Sequence, residues 1–333
     1  KAQEVAINGL SVIDIQMETE VLEMDAVVVT ALGITREKKA LGYSVQDLSG
    51  EEFTKAREAN VVNSLSGKVS GVNITQSSGA VGASTRIELR GASSITGNTQ
   101  PLFIVDGIPL DNTNYGSGSD GGGFDLPNGV ADINSDDIET LSVLKGPSAA
   151  ALYGVRAANG VIVITTKTGK AGKKSDIGVS FNSTTTFEKP LELASFQNSY
   201  GQGSSKDYFE WIDGTIGDGG VDESWGPPLD VGLEFVQWDS YKVNGAATPW
   251  VSQPNNVKDF FDTGITASNN LSFSGGTEKM AYRLSMGVMD QNGMIPTTEF
   301  QRYTFSGNAS YNFTDKLKAG FTVNYTRSQS DNL

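Results

Sequence analysis

Four stretches of the chain alternate apolar and polar residues, and that period of two most constrains its fold. In 177–187, Ile177, Val179, Phe181 and Phe187 hold odd positions, with Gly178, Ser180, Asn182, Thr184 and Thr186 between them. In 279–288, Met280, Tyr282, Leu284, Met286 and Val288 alternate with Lys279, Ala281, Arg283, Ser285 and Gly287. The same rhythm runs through 302–313 (Tyr303, Phe305, Ala309, Tyr311, Phe313) and 316–326 (Leu317, Ala319, Phe321, Val323, Tyr325). A weaker fifth segment, 266–275, carries Leu271 and Phe273. Successive strand side chains point to opposite faces, so each segment predicts a strand with one apolar and one polar face.

Each segment has about the 9–11 residues that a tilted strand needs to cross a bilayer, whereas no apolar run reaches the roughly 18 of a transmembrane helix. A soluble antiparallel sandwich alternates in the same way. The connections favour the barrel. Those at 275–278 and 314–315 are tight, and those at 188–265 and 289–301 are long. Outer-membrane barrels join their strands by short periplasmic turns and longer external loops. If the preceding domain ends on the periplasmic side, 188–265 is external and both tight turns are periplasmic.

Residues 36–172 read differently, as a mixed α/β domain. Ser49 and Glu52 form a capping-box pattern, and Phe53, Ala56 and Leu65 predict one helical face, with Gly67 and Gly71 as stops. Short strands are expected at 72–76, 85–90 and 101–106. A second helix is expected to start near Ser135, with Asp136 and Asp137 suiting its positive end. Pro147 opens a short Ala-rich turn ending at Gly154, and 160–167 is an apolar strand. The expected fold class is thus a mixed α/β plug-like domain followed by antiparallel transmembrane β-barrel strands.

Composition excludes several functions. There are no Cys and no His, which removes thiol and Ser-His-Asp catalysis and the commonest metal ligands. Net charge is −14, which argues against a nucleic-acid partner. Gly116-Ser-Gly118-Ser-Asp-Gly121 matches a dinucleotide-binding pattern but lacks the flanking strand and helix, so it reads as a loop. Asp111, Asp120, Asp125 and Asp132 lack calcium-loop spacing. No cofactor is expected.

Ahead of these domains, 1–18 reads as a hairpin about Asn8-Gly9 and 18–23 as an acidic linker. The start at Lys1, without Met or an apolar leader, predicts a processed or trimmed N-terminus. Met24-Asp25-Ala26-Val27-Val28-Val29-Thr30-Ala31 is a lone β-branched run in polar surroundings. It reads either as a buried edge strand or as an exposed segment awaiting a partner sheet.

Three stretches, MDAVVVTALGITREKK (24–39), PLFIVDGIPL (101–110) and LKGPSAAALYGVRAANGVIVITTKTGK (144–170), resemble the SusC/RagA family of TonB-dependent transporters. The resemblance implies the end of a carboxypeptidase-regulatory-like domain at 1–23, a TonB box and linker at 24–35 and a plug at 36–172. At 173–333 it implies the first five strands of a 22-stranded barrel, a size class that forms plugged transporters. It places the TonB box on Asp25, Ala26, Val27, Val28, Val29, Thr30 and Ala31. Ala26 stands where an acidic residue is common, and Thr30-Ala31 replaces a Val-Gly pair. High β-propensity and the absence of Pro suit that segment to strand addition.

The resemblance further implies energised import of an oligosaccharide or peptide, with TonB, a SusD-like surface lipoprotein and outer-membrane lipid as partners, and no enzyme activity. Five strands leave open edges that a membrane does not tolerate. Either the remaining strands lie outside this chain, or it represents a species before closure, with barrel-assembly machinery as a further partner. Arg90 and Arg156, in the plug with Arg86, are candidates for seating it against a wall acid. All four Trp fall in 188–265; Trp211, Trp225 and Trp238 are candidate ligand or lipoprotein contacts, and a small core of the loop itself is the alternative. Two other functions are open: a surface-binding or adhesion protein on a barrel anchor, and an outer-membrane hydrolase using Asp222 and Glu223.

Overall fold

A computed structural model describes residues 27–29, 35–37, 44–55, 57–76, 81–92, 98–113, 127–146, 153–170, 177–204, 223–314 and 316–332. The expected hairpin at 1–18 lies outside them, as do Asp25, Ala26, Thr30, Ala31, Trp211 and Asp222.

The chain's first described element, β1 (Val27–Val29), pairs antiparallel with β2 (Thr35–Glu37), Val28 opposite Arg36. The plug follows, with β3 (Ser44–Ser49), α1 (Gly50–Lys55), β4 (Val72–Gln76), β5 (Thr85–Leu89), β6 (Leu102–Val105), β7 (Ile108–Leu110), β8 (Ile138–Lys145) and β9 (Val161–Thr166). Five of these strands form one sheet in the order β3-β8-β9-β6-β7, and β4 and β5 form a separate hairpin. Only the β6–β9 pair in that sheet is parallel. β8 and β9 are interior strands covered on both faces, which is why they read as nearly continuous apolar runs. Phe53, Leu65, Ile87, Phe103, Leu141 and Ile162 pack on one face, and Ile104, Leu144 and Val161 on the other.

Two expected helices are shorter than their signals. α1 ends at Lys55, and Leu65 belongs to a separate 3₁₀ turn, Asn63–Leu65. Near Ser135 the helix is a single 3₁₀ turn, Ser135–Asp137, in which the Asn134 side chain accepts from the Asp136 N–H. The turn forms where expected, but Ile138 onward is claimed by the buried strand β8, and sheet pairing with β3 and β9 wins over local helix preference.

The wall is an antiparallel meander of β10 (Ile177–Glu188), β13 (Gly264–Gly276), β14 (Met280–Asn292), β15 (Glu299–Thr314) and β16 (Leu317–Asn332). The connection between β10 and β13 holds β11 (Glu234–Phe235), β12 (Thr248–Pro249) and α2 (Asn256–Phe260). The weak fifth segment is a full wall strand, β13, paired with β10 from Gly264 to Gly275. Its faces settle the choice between barrel and sandwich. Phe181, Met286, Phe321 and Val323 point outward and are at least half exposed, while Asn270, Arg283, Ser285, Arg302 and Asn308 point inward and are buried against the plug. Apolar outside and polar inside is the barrel pattern, the reverse of a sandwich.

Candidate plug–wall interface

Charged groups fasten plug to wall. In the turn before β8, Asp137 Oδ1 accepts from Arg283 Nη1 of β14 at 2.7 Å. Beside it, Arg57 binds Asp136 through Nε at 3.1 Å and Nη2 at 2.8 Å. The same guanidinium donates from Nη1 to Thr184 Oγ1 of β10 at 2.6 Å. Asp136 also accepts from Asn182 Nδ2 at 3.3 Å. Arg302, buried on β15, donates to the carbonyls of Ala59 and Ala131 in the plug.

Lys167, just after β9, donates to the Asp136 carbonyl at 2.8 Å, and its own carbonyl accepts from Asn308 Nδ2 at 2.9 Å. Burial pushes its ammonium pKa down, Arg283 lowers it further, and Asp136 and Asp137 partly offset that. At the end of β10, burial and the facing Glu188 raise the Glu58 carboxyl, against a smaller opposing pull from Lys68.

Three of the cavities between plug and wall lie along β10. One of about 740 Å³ is bounded by Ser180, Asn182, Ser272 and Ser274 of the wall and Glu51 and Lys167 of the plug. A second, about 410 Å³, lies near the β10 C-terminus between Glu188 and Gln291 of the wall and Glu58, Asn60 and Asn63 of the plug. A third, only about 20 Å³, contains Arg57, Asp136, Thr184 and Ser268.

The residues expected to seat the plug lie away from the five described wall strands. Arg156 is exposed on a 3₁₀ turn and makes no hydrogen bond or ion pair with the described wall. Arg90 is exposed at a positive φ of 64°, its N–H bonded to the Gly71 carbonyl. The observed ion pair reverses the expected polarity, with a wall arginine meeting a plug acid. A cation at the inward parity of an alternating strand, as at Arg283 and Arg302, is the signal that would have found it.

Of the loop aromatics, Trp250 is buried, stacks edge-on with Phe235 and donates from Nε1 to the Pro227 carbonyl at 3.0 Å, so it belongs to a small core of the loop. Trp225 and Trp238 are exposed, with Tyr200 tilted against Trp225 and Lys242 lying over the Trp238 ring. Glu223 is described, but its candidate partner Asp222 is not.

A sheet-cored plug fastened inside an inverted-polarity wall defines the class: a plugged barrel of the TonB-dependent receptor kind. Residues 37–161 match the TonB-dependent Receptor Plug Domain family. The chain is 33% identical over 325 residues to the TonB-dependent receptor SusC of Bacteroides thetaiotaomicron, covering 97% of this chain and 28% of that protein. It is 31% identical over 330 residues to the TonB-dependent receptor P26 of Formosa agariphila, covering 97% of this chain and 29% of that one. The RagAB peptide importer in its open-open state superposes with a TM-score of 0.68 at 26% identity, over 92% of this chain and 33% of that one. Over nearly its whole length the chain is thus similar to SusC/RagA-like TonB-dependent receptors, and it spans under a third of the length of these relatives.

Proposed function

We propose that the chain is the N-terminal part of an energised outer-membrane importer for a glycan or peptide nutrient. In this reading 24–35 carries the TonB-binding segment, 36–172 is the plug, and 173–333 supplies the first five wall strands, with tight turns periplasmic and 188–265 external. The observation that carries it is the plug held against the polar inner face of an antiparallel five-stranded wall. A blocked barrel that passes solute needs work done on the block, and a β-branched segment ahead of the plug gives a partner protein a strand to add to. Residues 25–31 are that segment, with Val27–Val29 already extended in β1.

Relatives named for TonB dependence, and a structural neighbour named as a peptide importer, support the reading. A SusD-like lipoprotein is the proposed partner at the external loop, where Trp225 and Trp238 present exposed rings. The seating role expected of Arg90 and Arg156 passes to Arg57, Asp136, Asp137 and Arg283. Deleting 25–31 from the full-length protein tests the reading. Nutrient uptake is lost while the protein still reaches the outer membrane; uptake at the parent rate would refute it.

A further inference from the structure

The three cavities all touch β10, and two of them also touch β13. The inward-facing partners along β10 and β13 are Gly178 with Ser274, Ser180 with Ser272, Asn182 with Asn270, Thr184 with Ser268 and Thr186 with Thr266. Each of these ten is a glycine, a hydroxyl or an amide, and the next inward pair, Glu188 with Gly264, places a carboxylate at the end of the row. The neighbouring strands differ. There Arg283 and Arg302 reach inward and hold the plug through buried contacts. The wall thus grips the plug with its own guanidinium groups from β14 and β15, while along β10 and β13 it offers a seam of short polar side chains, with Thr184 and Asn182 bonded to the plug.

The seam is open at both ends and closed in the middle. About 740 Å³ of space lies beside Ser180, Ser272 and Ser274, and about 410 Å³ lies beside Glu188. Between them the space falls to about 20 Å³ where Arg57 meets Thr184, Ser268 and Asp136. Close by, Thr266 Oγ1 and Gln291 Oε1 are buried without a hydrogen-bond partner among the described residues, on residues directly opposite in the β13–β14 ladder. Buried polar atoms of this kind are costly unless something passing or resident bonds to them.

We propose that this seam is the path by which a neutral, hydroxyl- or amide-bearing solute passes the plug, and that Arg57 is its gate. The inference rests on the importer reading. A conducting path must replace the hydrogen bonds a solute makes to water without holding it fast, and short uncharged polar side chains do that. Arg57 closes the path by bonding at once to the plug, through Asp136, and to the wall, through Thr184. It also lies where a pull arrives early. Tension from the N-terminal segment enters the plug at β3 and reaches Arg57 directly after α1. Arg57 leaves Thr184 while the Arg283 and Arg302 contacts keep the rest of the plug seated.

The test uses the full-length protein in liposomes, with swelling in stachyose as the readout and no energy source. Arg57→Ala is expected to raise the swelling rate by about tenfold or more, the shift in a closed–open balance that follows loss of a charge-assisted hydrogen bond. Adding Ser268→Trp on the seam is expected to return the rate to the parent level. Unchanged swelling in Arg57→Ala would overturn the proposal. So would a leak that Ser268→Trp does not block, because the solute would then be passing a displaced or unfolded plug. The assay involves no TonB, so its failure is separate from that of the 25–31 deletion, which tests the importer reading alone.

Discussion

Arg283 Nη1 of the wall lies 2.7 Å from Asp137 Oδ1 of the plug, with both side chains only 7% exposed. An ion pair this buried is held by mutual need, since either partner alone would be a desolvated charge. Arg283→Ala is expected to weaken plug seating by about 3–5 kcal/mol, seen as a lower denaturant midpoint and faster proteolysis of the plug. The double variant Arg283→Met/Asp137→Leu recovers most of that loss. A single variant as stable as the parent would show that the pair is not desolvated.

Phe103 is fully buried in the plug core, whereas Phe321 on the wall is 64% exposed on the outward face. Phe103→Ala is expected to cost the plug about 3–5 kcal/mol through the cavity it leaves. Phe321→Ala leaves plug stability unchanged. Chemical denaturation followed by plug proteolysis measures both.

Met286 also faces outward, at 52% exposure, near the middle of β14. Met286→Arg is expected to lower folding into lipid vesicles by about 2–4 kcal/mol, the cost of a cation on the lipid face near the midplane. Equal folded fractions for variant and parent would contradict the outward assignment.

Glu58 gives the plug a pH dependence. Burial and Glu188 raise its pKa in the folded protein, so the folded state holds its proton more tightly than the unfolded chain. The cost of the ionised carboxylate is felt at neutral pH and relieved as pH falls through the raised value toward the ordinary glutamate range. Glu58→Gln is expected to stabilise the protein at neutral pH, with the gain disappearing in acid. Denaturant midpoints across a pH series check the sign.

The wall was the most legible part of the chain. A period of two survives in 177–187, 279–288, 302–313 and 316–326 because lipid demands apolar residues on one face and the plug polar ones on the other. β13 was faint because its positions beside the seam are Ser, Thr and Asn on one face, and Ala267 and Asn269 interrupt the other. The plug was less legible. α1 starts at Gly50, beside the pattern of Ser49 and Glu52, and a true turn stands at Ser135, but the residues after Asp137 are drawn into a central strand. The seating contacts were hidden for another reason: Arg57, Asp136 and Arg283 are far apart in sequence, and only the fold brings them together.

Strand addition at β1 is the centre of this account, and Val28→Pro in the full-length protein tests it most directly. Proline removes a backbone N–H and disfavours strand pairing, while Val28→Thr keeps both the donor and the β-propensity. The account predicts that Val28→Pro abolishes energised nutrient uptake and binding to TonB, that Val28→Thr retains them, and that both variants assemble in the outer membrane. Uptake by Val28→Pro at the parent rate would contradict it.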